Sequence, residues 1–471
     1  MKKIKASIDV LSQAEKQLIH EKSLIILEKI GVKAPYSEFL DLMEQYEAVV
    51  DRQAQVIRFP RRLIEDMLRE IKPDAPQERE VSRLKGNVST EIFIVDYRAK
   101  VRRYGVMDDL MKGIALLNRL DNFEEANAVV IPSDVANDIT DIVSYQKLFT
   151  YSKKQGGSYI LTPISASYIC DMAKAAGRSV YYGFQTVSPL QFMPETLEIA
   201  MEFKKKGMPA GAGPFVLSMG SGPVTAAGSL LLQNAEQLAC MFCTKALGGS
   251  PRGYTAGIHP LDVSTLLCSF GSPNLAVSAM AGCSMAKLYG LHPGGNTGLT
   301  DALMPDFQCG FEKALTAAFA AFSGNTGIGC QGIVGADQGI SLEQLVLDNE
   351  WLSAFNYAVS GVEVTEETLA EALIHEIGIG GSFISEEHTA RHMRDSYWHS
   401  KLFNRDTWDT WLRKDDRELM DKAYAVVGEY TAGYKNMEPV ISSSLKDEID
   451  YITAEGIKAA ESFKRKEIPH R

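Results

Sequence analysis

Short apolar runs that alternate with amphipathic runs constrain this 471-residue chain more than any other feature. Strand-like runs fall at 128–131, 158–162, 180–185, 209–216, 253–258, 291–297, 327–334 and 378–384. Between them lie helical patterns near 138–152, 166–176, 195–206, 222–247, 274–289, 307–323 and 341–375. Strands of this length joined by helix-length crossovers are parallel strands, which places the chain in the α/β class. Eight such units are the count of a closed (β/α)8 TIM barrel. An open doubly wound sheet rarely holds eight units this regular.

The flanks differ from the middle. Residues 1–90 read as a helical N-terminal extension. Leu18, Ile19, Ile25, Ile26 and Ile30 keep helical spacing up to Gly31, a second helix spans about 37–46, and Pro60 opens a third. Residues 91–125 read as a hairpin, 91–97 against 101–105, with a helix leading into a barrel at 126–385. Residues 386–471 become highly charged again and read as a helical C-terminal extension.

Composition excludes several classes. Apolar residues make up 45% and charged residues 23%, ordinary for a globular chain. The net charge of 49 − 60 = −11 argues against nucleic-acid binding, which needs clustered Lys and Arg. The most apolar long stretch, 229–247, is interrupted by Gln233, Asn234, Glu236, Gln237 and Lys245, so no membrane span is expected. The basic start has no apolar segment behind it, and the seven Cys lack a disulfide spacing. A reduced, cytoplasmic protein is expected.

Residues 209–340 hold 22 of the 38 Gly and only 10 charged residues in 132. Small uncharged segments suit either tight helix–strand packing or a water-excluding site. The G-x-G-x-x-G run at 327–332 follows a helix and itself reads as a strand, against dinucleotide binding. Cys240 and Cys243 lie inside a helical run and read as packing residues. His388 and His392 lack the Glu that a zincin carries after the first His, so no metal is expected.

Barrel enzymes place their chemistry at the C-terminal ends of the strands. Here those ends carry Phe184, Phe215, His259 and Gln331, with Asp301, Asp306, Gln308 and Glu312 just beyond the run at 291–297. Aromatic faces and carboxylates around one mouth suit a small cation. No acid–base dyad stands out.

Several separated motifs carry a family resemblance. The stretch from Gly298 through Asp306 and Glu312, with 232–236, 260–273, 342–350 and 387–392 followed by Trp398, resembles the trimethylamine methyltransferase family in order over about residues 10 to 430. Archetypal members carry pyrrolysine at a position that falls at or next to Gly335, so the chain resembles the nonpyrrolysine branch. That resemblance implies a TIM barrel that moves a methyl group from a quaternary amine to cob(I)alamin on a partner corrinoid protein. The donors implied are glycine betaine, proline betaine, carnitine or γ-butyrobetaine. It implies no tightly bound cofactor of the chain's own, and a homo-oligomer is expected. On this reading Phe184, Phe215, Tyr254, Phe355 and Tyr97 are candidates for holding the ammonium. His259, Arg98 and Gln331 are candidates for the carboxylate; Asp301, Asp306 and Glu312, with Gln308 beside them, are candidates either for balancing the ammonium or for stabilising the mouth. Two further classes stay open: another TIM-barrel enzyme, and a non-catalytic quaternary-ammonium-binding barrel.

Overall fold

The computed structural model describes residues 8–71, 83–325, 327–415 and 418–462. Parallel pairing runs through the middle of the chain. Lys85–Val88 pairs with Gly327–Gln331, and Gly86 and Glu91 bridge to Phe123 and Val130. Glu125 bridges in turn to Gln155. Tyr182–Gln185 pairs in register with Ala210–Gly213, Leu217–Ser218 with His259–Pro260, and Gly253–Thr255 with His292–Gly294. Helices Thr140–Tyr151, Pro163–Ala175, Pro194–Lys205, Ala226–Ala246, Pro273–Tyr289 and Phe307–Phe322 alternate with these strands. The α/β class is therefore present. Among the described residues the pairings form separate short sheets and not one continuous ladder. Their sequences explain why: Ala210–Gly213 reads AGAG, and glycine in a strand interior weakens the ladder.

The strand expected at 378–384 is absent. Helix Glu371–Ile377 ends at Gly378, and both Gly378 (φ 61°) and Gly380 (φ 78°) have positive φ, far from the extended backbone of a regular strand. A parallel strand lies instead at Lys85–Val88, inside the segment expected to be helical extension. The helix expected over 341–375 breaks into Leu342–Ala358, Glu366–Leu369 and Glu371–Ile377.

The N-terminal helices are Gln13–Lys29, Ser37–Gln45 and Arg61–Ile71. With them comes an unexpected three-stranded antiparallel sheet, Val32–Lys33, Val56–Arg58 and Val49–Asp51. Gly31 makes the turn into it at φ 80°, and a Cβ there would lie 2.2 Å from the Ile57 carbonyl oxygen. The hairpin is present as Phe93–Asp96 against Val101–Tyr104. At the other end, Leu419–Thr431 packs on Leu342–Ala358, and Ser443–Ser462 packs on Pro163–Ala175. No helix among the described residues is long and apolar enough to cross a membrane.

Candidate functional site

Two cavities lie among the parallel strands, one of about 1330 Å³ and one of about 350 Å³. Tyr181, Gln185, Ala212, Phe215 and Asn296 belong to the walls of both. The space exists because the strands bring few side chains to fill it. Gly253, Gly257 and Gly294 line the smaller cavity, and a Cβ at any of them would meet nothing within 4 Å. Protein interiors normally close such space to crystal-like density.

Aromatic rings form one wall. Phe184 lies 5.8 Å from Tyr182 in a near-parallel stack and 5.5 Å from Phe192. Tyr181, Tyr182, Phe184 and Phe215 all line the larger cavity. Tyr254 lines the smaller one, its hydroxyl donating to Asn234 Oδ1 at 2.9 Å.

His259 reaches the smaller cavity from the strand His259–Pro260. It is only 4% exposed. Its ring stacks on Phe215 at 4.6 Å and meets Phe270 edge-on at 5.3 Å. Neither Nδ1 nor Nε2 has a hydrogen-bond partner. Burial alone pushes its pKa down to about 4, so the ring is neutral at physiological pH. A buried imidazole with both nitrogens open is costly unless a ligand or water meets it.

Four of the sequence-predicted residues thus share this region: Phe184, Phe215, Tyr254 and His259. The others are engaged elsewhere. Gln331 is fully buried away from both cavities, donating to Gly329 O and accepting from Lys313 Nζ at 3.4 Å. Asp301 accepts from the Phe270 and Gly271 amides and from Ser269 Oγ, so it ties the 269–271 loop. Glu312 accepts from Thr300 Oγ1, the Asp301 amide and Gln308 Nε2. Asp306 caps helix Phe307–Phe322 by accepting from the Cys309 amide. Arg98 pairs with Asp421 at 2.7 Å and covers the Tyr424 ring, which anchors the C-terminal helix. Tyr97 lies buried with its hydroxyl toward Gln344, and Phe355 packs against Trp351. Each of these groups spends its polarity or its ring on holding a loop or helix.

Sequence reasoning missed a carboxyl pair. Glu91 is buried, accepts from Ser89 Oγ and hydrogen-bonds the Asp337 carboxylate. Burial first, and then the Asp337 charge, push its carboxyl up to about 8. One proton is therefore held at neutral pH, since two adjacent carboxylates resist ionising together. The pair also bears electrostatically on Tyr159 and Cys330, which line the larger cavity.

No group of three or more His, Cys, Asp or Glu able to hold a metal ion occurs among the described residues.

A family model described as Trimethylamine methyltransferase matches residues 1–456. The trimethylamine methyltransferase of Desulfitobacterium hafniense is 26% identical over 433 residues, 88% of this chain and 87% of that one. A glycine betaine methyltransferase from another strain of the same species is 23% identical over 470 residues, covering 93% of this chain and 96% of that protein. The crystal structure of the Methanosarcina barkeri monomethylamine methyltransferase matches at 10% identity and a TM-score of 0.45, over 95% of this chain and 92% of that one.

Proposed function

We infer that this chain, which belongs to the trimethylamine methyltransferase family, moves one methyl group from a quaternary amine to cob(I)alamin carried on a separate corrinoid protein. The observation that carries the reading is the aromatic wall of Tyr181, Tyr182, Phe184 and Phe215 around a cavity of about 1330 Å³. Ring faces attract a quaternary ammonium by about 2 kcal/mol or more once water is excluded. The parallel pairings support a (β/α)8 barrel as the frame, with Lys85–Val88 supplying a strand next to Gly327–Gln331. A cytoplasmic setting fits seven cysteines that are all unpaired, and assembly into a homo-oligomer belongs to the same reading.

The chemistry asks little acid–base work of the chain. The C–N bond breaks with its electron pair going to nitrogen, which leaves as a neutral tertiary amine. The cobalt of the co-substrate supplies the pair for the new bond to carbon. The chain's part is to hold the donor methyl in line, and positioning of this kind contributes several kcal/mol. Phe184 and Phe215 hold the ammonium. Glu91 and Asp337, sharing one proton, bring a single negative charge to bear on Tyr159 and Cys330 of the larger cavity. His259 and Tyr254 face the rest of the donor. One relative is named for a donor with a carboxylated tail, glycine betaine.

Methylcobalamin formation, followed by absorbance over a panel of donors, tests this. At least one quaternary amine should react, and trimethylamine and dimethylamine should be inert at neutral pH. Robust turnover of trimethylamine with none of any quaternary amine would sink the reading.

A further inference from the structure

The walls of the two cavities have one property that bears on the donor's tail. Among the described residues, no Lys or Arg side chain lines either of them. Among the described residues the titratable acid on the walls is Glu125, the imidazoles there are His259 and His292, and the acidic pair Glu91 and Asp337 acts on Tyr159 and Cys330 of the larger cavity. A cation is welcome in such a space. A zwitterion's carboxylate is not, because a buried anion without a counter-cation carries a desolvation penalty that neutral donors only partly offset.

His259 sharpens the point. It is the buried, unpartnered polar side chain of the smaller cavity, clamped between Phe215 and Phe270. A neutral imidazole presents one N–H and one lone pair. A hydroxyl, which both donates and accepts, is complementary to either nitrogen. A carboxylate only accepts. It can take the N–H of whichever tautomer faces it, yet its charge then rests on one neutral donor with no Lys or Arg beside it.

Resting on the quaternary-amine reading, we propose that the donor's tail is uncharged and hydrogen-bonding, of the hydroxyalkyl class and not a carboxylate, and that His259 is the residue that selects it. Gln185 and Asn296, on the shared wall, supply further neutral partners.

Calorimetry on the full chain at pH 7.5 with choline, glycine betaine and tetramethylammonium decides this. Choline should bind at least about tenfold more tightly than glycine betaine, and more tightly than tetramethylammonium. His259→Leu should erase the advantage of choline over tetramethylammonium, while His259→Gln, which keeps a donor and an acceptor, should retain most of it. Glycine betaine binding as tightly as choline would overturn the proposal and leave the quaternary-amine function standing. A choline preference that survives His259→Leu would remove His259 from it. Should His259→Leu fail to fold, the comparison of choline with glycine betaine on the unaltered chain still decides the tail. Binding of none of the three would overturn this inference, and the turnover panel then decides separately whether the quaternary-amine function stands.

Discussion

The His259 imidazole stacks on the Phe215 ring with centroids 4.6 Å apart and planes 28° from parallel. The two residues come from neighbouring segments of parallel sheet, since His259 pairs with Leu217. The stack places a neutral polar ring against an apolar face inside the smaller cavity, and it contributes to the loss of stability in acid. The folded pKa of about 4 lies below the ordinary 6.5, so this residue's contribution is full above pH 6.5 and is lost as pH falls through about 4. His259→Gln removes the titrating group. Its melting temperature should fall less steeply than that of the unaltered chain between pH 6.5 and 4. Parallel slopes in thermal melts across that range would show that the ring is not buried as described.

Glu91 acts in the opposite sense. Its folded value of about 8 exceeds the ordinary 4.5, so its contribution is full below about pH 4.5 and disappears as pH rises through about 8. Glu91→Gln keeps the shape and stays neutral. The variant should hold its melting temperature between pH 6 and 9, where the unaltered chain loses stability. Melts by circular dichroism in a pH series read this directly. An unchanged alkaline slope would mean that Glu91 and Asp337 do not share a proton.

Periodicity made the alternating helices and strands legible, because burial on one face writes a regular apolar pattern. It failed where pattern and backbone disagree. The stretch 378–384 is apolar enough for a strand, yet Gly378 and Gly380 turn left-handed. Lys85–Val88 reads KGNV, too polar to stand out, and is a strand only because Gly327–Gln331 lies beside it. The site divides the same way. Phe215 and His259 were legible because strand ends can be counted. Glu91 and Asp337 meet across a long sequence separation that no local spacing encodes. Asp301 and Glu312 look like cation ligands in sequence, whereas in three dimensions their oxygens are taken by nearby amides and hydroxyls.

Behind the strand Gly327–Gln331 lies a buried ion pair, Lys313 Nζ to Asp348 Oδ1 at 3.0 Å. Asp348 also accepts from the Gly332 amide, Gln344 Nε2 and Trp351 Nε1. Removing one partner of such a pair strands the other charge in the interior. Lys313→Met should therefore cost about 3–5 kcal/mol by denaturant unfolding. Adding Asp348→Asn should recover part of that loss, because the stranded charge is then gone. A single-variant cost below about 1 kcal/mol would show that the pair is reached by water.

Two glycines separate what the fold needs from what the cavity needs. At Gly156 an added Cβ would lie 2.0 Å from the Ala126 carbonyl oxygen, on the backbone of a neighbouring segment. No side chain can yield there, so Gly156→Ala should destabilise by about 1–3 kcal/mol or more. At Gly294 the added Cβ meets nothing within 4 Å, and φ is not positive. The backbone therefore tolerates a side chain, and replacing glycine there reduces the freedom of the unfolded chain by about 0.4–1 kcal/mol. Gly294→Leu should fold with a melting temperature at least equal to that of the unaltered chain. Its side chain would occupy the smaller cavity beside His259, and quaternary-amine binding should fall by at least about tenfold. Calorimetry and thermal melts on both variants check the pair of outcomes. Full donor binding by a well-folded Gly294→Leu would show that the glycine-lined space is not where the donor sits.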